Sequence, residues 1–321
     1  MSKRAIIRVI EPGMLTTVQD LGRTGWSSVG VGRGGAADML SLRIGNRILG
    51  NDEGTAGLEM TMTGGTFAFE ADTSIALTGG DASAHIEGRG GDRPVVRWTP
   101  VHVQAGERLV IGPIRTGVRA YLLVAGGIAV PRLLDSRSTH LVGGFGGMNG
   151  RPLSSSDQLE IGGSDQDGEK ILSAHARTFC EAHLSRRTVR AVVGAHHDTF
   201  SARAAESFWN SAFRVSVQSN RTGLRLNGQI EPSRLGGRMP SEGMMAGAVQ
   251  VPASGAPIVL MVDYPTTGGY PVIACVAAVD LPVLGQARPR QSLRFERIGV
   301  EEARALYAEQ ERMLDAEVPT R

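Results

Sequence analysis

Apolar residues in this chain come in short runs, each cut off by Gly, Pro, Asp or Asn, which is the pattern of a protein built mainly from strands. Ile6 to Ile10 reads as a strand closed by Glu11-Pro12-Gly13. Thr17 to Arg23 reads as a polar loop. Gly30-Val31-Gly32-Arg33-Gly34-Gly35 leads into a helix, where Leu40, Ile44 and Ile48 recur every four residues and Gly50-Asn51 supplies the stop. From Leu58 to Val124 the runs shorten. Thr66 to Phe69, Ser74 to Thr78, Val101 to Val103, Leu109 to Ile111 and Ala120 to Val124 read as separate strands, at a spacing that suits a barrel or sandwich.

Asp135 to Gly150 is a second glycine-rich polar loop. Gly162 to Lys170 reads as an acidic linker or exposed loop. A new unit begins near Thr188. Its strands are expected at Val189 to Val193, Phe213 to Val217, Ala248 to Val251, Ile258 to Val262, Val272 to Val279 and Ser292 to Arg297. Ser201 caps a short helix that runs to Trp209. The chain closes with an amphipathic helix on which Ala303, Leu306, Tyr307, Gln310, Met313 and Leu314 share a face. The reading is a mainly β chain with a few helices: a domain over residues 1–186, a second over 187–298, and a helix with its tail over 299–321. Each half runs strand, polar loop, helix and then several strands, though no sequence repeat is visible.

Composition narrows the chemistry. The 321 residues are 41% hydrophobic and 21% charged with a net charge of +2, which implies no strong attraction to nucleic acid or membrane. Only Lys3 and Lys170 are lysines, and the other basic residues are all Arg. Neither lysine stands in a phosphate-binding glycine loop or a biotin-carrier setting, and both are poorly placed for Schiff-base chemistry. Cys180 and Cys275 are far apart and in no metal-ligand spacing. No signal-like segment opens the chain and no apolar run nears the roughly 20 residues of a membrane span, so a cytoplasmic location is expected.

The polar loops hold the candidate chemistry. Asp263-Tyr264-Pro265-Thr266-Thr267-Gly268-Gly269-Tyr270-Pro271 lies between two apolar runs, and Gly268-Gly269 reads as a sharp reversal joining two strands. It gathers a carboxylate, two hydroxyls and a phenol on one turn. Arg221 and Arg225 stand four apart and suit a carboxylate or phosphate, or a structural ion pair. Gln19, Asp20 and Arg23 form a compact group that fits a local pair or a substrate clamp. Glu242 is an acid–base candidate or a turn residue. His196-His197-Asp198 looks like a metal cluster but lacks a third ligand, and no metal site is expected. The glycines of Gly143 to Gly147 let backbone approach a ligand or simply turn. Gly30-x-Gly32-x-x-Gly35 matches a dinucleotide fingerprint without its preceding buried strand.

Several of these segments stand in a characteristic order: Thr17-Val18-Gln19-Asp20-x-Gly22-Arg23, Gly34-Gly35-Ala36-x-Asp38, Gly50-Asn51, Leu58-Glu59, Ala125-Gly126-Gly127-Ile128, Ser138-Thr139, Gln218-Ser219-Asn220-Arg221-x-Gly223-x-Arg225 and Thr266-Thr267-Gly268-Gly269-Tyr270-Pro271. Together they resemble the KipA-like family, also called allophanate hydrolase subunit 2 or the biotin-dependent carboxyltransferase family. Within that family the chain is most similar to the C component of the bacterial 5-oxoprolinases. The resemblance runs from about Ile6 to the last helix. It implies a cyclophilin-like β-barrel architecture in two related domains. It also implies two partner chains, a KipI-like B component and an A component. The reaction implied is ATP-dependent opening of 5-oxo-L-proline to L-glutamate, with ATP held in the assembled complex.

Two alternatives go with the resemblance. One is the carboxyltransferase part of a urea (or related small amide) carboxylase, served by carboxybiotin on a separate carrier. The other is a non-enzymatic regulatory partner of a KipI-like kinase inhibitor. On family-motif positions, Asp263, Asp20 and Glu242 become acid–base candidates. Arg221, Arg225, Thr266, Thr267, Gly268, Gly269, Tyr270, Gln19, Arg23, Ser138 and Thr139 become substrate-binding candidates. Pro265 stands where the family pattern has a Gln, which removes an amide from that loop.

Overall fold

The computed structural model describes residues 5–163, 170–236 and 238–318. The expected acidic linker at 164–169 lies outside them. By its internal contacts the chain divides into two compact units. One comprises Met1–Arg23, Gly34–Glu181 and Met313–Arg321, and the other Thr24–Arg33 and Ala182–Arg312.

The first unit is a nine-stranded sheet. Its strands are β1 (Ile6–Glu11), β2 (Leu15–Gln19), β3 (Gly57–Thr61), β4 (Thr66–Phe69), β5 (Thr73–Glu87), β6 (Arg93–Pro94), β7 (Pro100–Val103), β8 (Arg108–Val124) and β9 (Gln158–Glu160). The path β2-β3-β8-β4-β1-β9 is extended by β5, which pairs with β6, β7 and β8. Two sequence expectations need correction. Thr17, Val18 and Gln19 end a strand rather than belonging to a loop. The separate strands expected at Leu109 and Ala120 are one 17-residue strand, and Ser74 to Thr78 is the start of a 15-residue one.

The physical reason lies in the glycines and Pro113. Gly79 adopts φ +83 and Gly117 φ +75, and the β5–β8 register slips near Gly79. A glycine at a bulge bends a strand without ending it. The core beneath this sheet gathers Phe67, Phe69, Ile75 and Leu122. Helix α1 (Met39–Ile48) forms where the four-residue period predicts it. Asp38 caps it by accepting from the Ser41 N–H, and Gly50 leaves it at φ +67. Helix α2 (Ala174–Leu184) has no counterpart in the sequence reading.

The second unit is a closed barrel in the order β10-β17-β14-β15-β12-β11-β18. The strands are β10 (Thr188–Val193), β11 (Ala212–Val215), β12 (Gly223–Asn227), β14 (Ala248–Gln250), β15 (Ile258–Leu260), β17 (Val272–Val276) and β18 (Ser292–Arg297). A separate two-stranded ribbon joins β13 (Glu242–Gly243) to β16 (Thr267–Gly268). All barrel pairings are antiparallel except the β10–β18 closure, which is parallel. Helix α3 (Ala202–Asn210) is capped by Ser201, as its sequence predicts. Phe208 reaches from it into the barrel and stacks on Phe295, ring centroids 4.8 Å apart.

The strand β12 is one of the elements missed here, with the ribbon strands β13 and β16 and the short helix after β17. Leu224 and Leu226 point inward with Arg225 outward between them, a two-residue alternation that the flanking charges disguise. Helix α4 (Leu281–Gly285) follows β17, and α5 (Val300–Glu317) closes the chain. Its first turns set Ala303 and Leu306 on Ala277, Val279 and Ile298, while Tyr307 of the expected face stays exposed. Among the described residues no helix is long and apolar enough to cross a membrane.

Candidate functional site

The loop 263–271 is not a hairpin. The strands that flank it, β15 and β17, do not pair with each other, because each lies on one side of β14. The chain therefore crosses from one flank of β14 to the other. On the way its tip pairs with Glu242–Gly243, with Gly268 opposite Glu242. Gly268 and Gly269 are absent from the residues of positive φ, so a left-handed turn is not what they provide. Space is. A Cβ on Gly268 would sit 2.7 Å from Gln250 Nε2, and one on Gly269 2.8 Å from the Met239 carbonyl. The loop is fastened by its carbonyls. Met244 N–H donates to Thr266 O and Met239 N–H to Gly269 O, both at 2.9 Å. The side chains of Thr267 and Tyr270 remain exposed.

At the root of the loop Asp263 is buried and engaged. Arg221 Nε donates to its Oδ2 at 2.8 Å and Nη2 to its Oδ1 at 3.0 Å, a bidentate buried ion pair. The backbone repeats the link, Asp263 N–H donating to Arg221 O at 2.9 Å. The sequence leaves the partner of Arg221 open, and the structure gives it to Asp263. Arg225 is exposed on β12 and turned away from that pair, so the two arginines do not form one fork.

Glu242 stands on the ribbon with its side chain about half exposed and its Oε2 3.4 Å from His196 Nε2. The Val272 N–H donates to His196 Nδ1 at 3.1 Å, which leaves Nε2 as the protonated nitrogen of the neutral ring. The His196 Nε2 nitrogen thus faces the Glu242 carboxylate without a formed hydrogen bond. His197 turns elsewhere, toward the Asp198 carboxylate and the Trp209 indole N–H. No group of three potential metal ligands occurs among the described residues. Sequence reasoning missed the link from His196 to Glu242, which are far apart in the chain, and also Gln250, whose buried amide lies beneath Gly268. A half-exposed carboxylate with an imidazole nitrogen 3.4 Å away, beside two hydroxyls and a glycine ribbon, is suited to proton transfer on a small neutral substrate.

The other candidates lie in the first unit and are buried. Asp20 Oδ1 accepts from Gly22 N–H and Ser136 Oγ, both at 2.7 Å, and Oδ2 from Arg137 N–H at 2.6 Å. Arg23 donates to Ser138 O at 2.6 Å and lies over the Phe145 ring at 5.0 Å. His140 stacks on that ring, 4.9 Å between centroids. Arg23 therefore does not pair with Asp20. Gln19 Nε2 reaches Thr17 Oγ1 and Thr139 O, and the Thr139 hydroxyl donates to Val18 O. Gly146 and Gly147, at φ +72 and +52, let backbone approach backbone: a Cβ on Gly146 would meet Ser138 O at 2.2 Å. In the Gly30–Gly35 segment, a Cβ on Gly35 would meet Gly22 N at 2.6 Å, and the first turn of α1 is occupied by the carboxylate of its own Asp38. Tyr121 receives the Asp38 N–H and donates to buried Glu59. Burial first, and then that carboxylate, hold its phenol well above the usual range.

The model of the carboxyltransferase domain, subdomain A and B, matches residues 29–297, and this chain belongs to that family. It is 39% identical over 310 residues to the C component of 5-oxoprolinase from Escherichia coli (strain K12), covering 97% of both chains. It is 34% identical to the corresponding 5-oxoprolinase component of Haemophilus influenzae, again over 97% of both. Among solved structures, the urea carboxylase of Kluyveromyces lactis superposes with a TM-score of 0.87 at 29% identity, over 98% of this chain. There the chain spans only 29% of the larger protein.

Proposed function

We propose that this chain is one component of an ATP-dependent 5-oxoprolinase, which opens 5-oxo-L-proline to L-glutamate together with a KipI-like B component and an A component. The observation that carries this reading is the end-to-end similarity to two proteins named as 5-oxoprolinase subunits. Such a name means partner chains in those proteins. We assign the substrate to the exposed 265–270 loop with Glu242 and His196.

The chemistry follows from the groups present. Water adds to the lactam carbonyl carbon, the C–N bond breaks, and the ring nitrogen takes up a proton. Glu242 is positioned to accept the proton of the attacking water, with His196 Nε2 3.4 Å from its carboxylate to take part in orienting it. Thr266, Thr267 and the Gly268-Gly269 backbone hold the lactam, with Tyr270 as a wall. Asp263 and Arg221 act as positioning residues that anchor the root of the loop. Asp20, Gln19, Arg23, Ser138 and Thr139 hold the polar loop of the first unit in shape, and Arg225 is left for a group at the surface. ATP supplies activation of the amide oxygen in the complex. The 265–270 loop carries no guanidinium or ammonium group and does not fit a triphosphate, so we assign that loop to the lactam and not to ATP.

The test is coexpression with the A and B components and measurement of ATP-dependent glutamate release. Thr267→Val and Glu242→Gln should leave the complex assembled and lower turnover about a hundredfold. An intact wild-type complex with no turnover sinks the reading. A second reading is supported by the family model and by the urea carboxylase superposition. In it the same loop receives urea or a related amide, and the carboxyl group comes from carboxybiotin on a separate carrier. Neutral hydroxyl and backbone groups suit a lactam and a ureido group alike. Carboxylation of urea by a supplied carboxybiotin carrier, with no glutamate release, would favour this alternative.

A further inference from the structure

A cavity of ≈ 290 Å³ in the first unit is lined by Asp52, Thr55, Gly126, Arg132, Arg137 and Gly162, with neighbouring backbone completing it. Its two arginines are brought together by an unusual turn. Leu133 N–H donates to Ser136 O at 2.8 Å and Ser136 N–H to Leu133 O at 3.3 Å, closing a two-residue reversal. The residues inside it, Leu134 and Asp135, both adopt left-handed backbone, φ +53 and +63. Such a turn normally uses Asn-Gly, and leucine rarely enters that region. Strain of this kind persists only where the surroundings hold it, and it gathers at functional sites.

The surroundings here are specific. Asp20 is buried and holds the turn from beneath through the Ser136 hydroxyl and the Arg137 N–H. Just outside the closing pair stand Arg132 and Arg137, neighbours across the turn. Like charges at such positions repel. Among the described residues neither guanidinium has a carboxylate within ion-pair distance. Arg137 Nε donates to Val130 O at 2.9 Å, and the Arg132 side chain has no hydrogen-bond partner among those residues. Asp52 is on the cavity wall but pairs with neither. A strained turn, fixed by a buried carboxylate, thus aims two cations at one small cavity without a counter-ion.

We propose that this cavity binds a small oxyanion, a phosphate or a carboxylate, between Arg132 and Arg137. Guanidinium forks match both anions in geometry and charge. The inference stands apart from the proposed reaction, because it concerns binding by the isolated chain.

The test titrates the full chain with inorganic phosphate by calorimetry at ionic strength held constant with sodium chloride, and then with 5-oxo-L-proline and with L-glutamate. Saturable binding is expected from at least one of the three. Phosphate alone marks a phosphate site, and an organic acid whose binding Arg132→Gln weakens marks a carboxylate site, which separates it from 5-oxo-L-proline held by the 265–270 loop. Arg132 is exposed, so Arg132→Gln should fold normally and bind about tenfold or more weakly, with Arg132→Lys recovering part of the loss. No saturable binding from any of the three overturns the proposal. So does an affinity that Arg132→Gln leaves unchanged. Failure of the glutamate-release assay would leave this binding result standing.

Discussion

The polar loop of the first unit and the ribbon loop of the second draw on the same residue types and use them in opposite ways. Around Asp20, Arg23 and Thr139 the side chains are buried and bonded to nearby backbone, and the Ser138 hydroxyl meets that of Ser136. In the 265–270 segment the backbone carbonyls do the fastening, and the Thr267 and Tyr270 side chains stay exposed. A buried polar group must be satisfied within the protein, which commits it to structure. A loop anchored through its main chain keeps its side chains for something else. The same contrast recurs within the second unit, between buried Asp263 and half-exposed Glu242.

The sharpest way to break this contrast is to remove a member of a committed pair. Arg221→Ala leaves the Asp263 carboxylate buried and alone, and should lower stability in urea by about 3–5 kcal/mol. Arg225→Ala, on the outer face of the same segment, should stay within about 0.5 kcal/mol of wild type. Equal effects would erase the distinction. Next in size is Glu242→Gln. Its loss should appear in turnover, about a hundredfold and so ~2.7 kcal/mol of barrier, with the urea midpoint unmoved. A shifted midpoint with intact turnover would place Glu242 among the structural residues.

Acid pH gives a smaller effect. His183 is buried against the Val279 carbonyl and Asp280, and burial outweighs that carboxylate and holds the ring below its ordinary value. The unfolded ring, titrating near 6.5, therefore binds a proton more readily than the folded one. The contribution is fully present above about pH 6.5 and is lost as pH falls toward the folded value. His183→Gln should flatten the stability profile in that range, and an unchanged slope would remove His183 from the account. Smallest of all is the reactivity of the thiols. Burial pushes Cys180 up to about 12 and raises Cys275 as well, so neither should be alkylated by iodoacetamide before unfolding.

Much of the fold was legible because local patterns and tertiary context agree. Leu40, Ile44 and Ile48 mark α1, Ser201 caps α3, and the alternation in Ser292–Arg297 marks β18. The strands were misjudged where glycine has two meanings. Gly79, Gly112 and Gly117 read as breaks, yet they bend continuous strands. The candidate site was legible as a set of segments and not as a set of contacts. No spacing rule links His196 to Glu242 or Asp20 to Arg137, because the tertiary fold alone brings those pairs together. Arg132 left no signal at all, since its interest rests on a turn that Leu134-Asp135 does not advertise.

The crossing of β14 by the 261–271 segment has a consequence for engineering. Moving from one flank of a strand to the other requires two inter-strand steps, about 10 Å, and because β15 and β17 both run antiparallel to β14 the chain must also run back along it by about two residues, roughly 7 Å. The eleven residues between Leu260 and Val272 could reach more than twice that combined span when extended, at roughly 3.3 Å each. Barrel closure therefore uses this connection without stretching it to its full length. The surplus is what forms the ribbon with Glu242–Gly243 and presents Thr267 and Tyr270. Closure and presentation are thus encoded in separable residues. This stretch could be exchanged between relatives as a cassette, keeping Asp263 to hold Arg221, while the barrel beneath it stays the same.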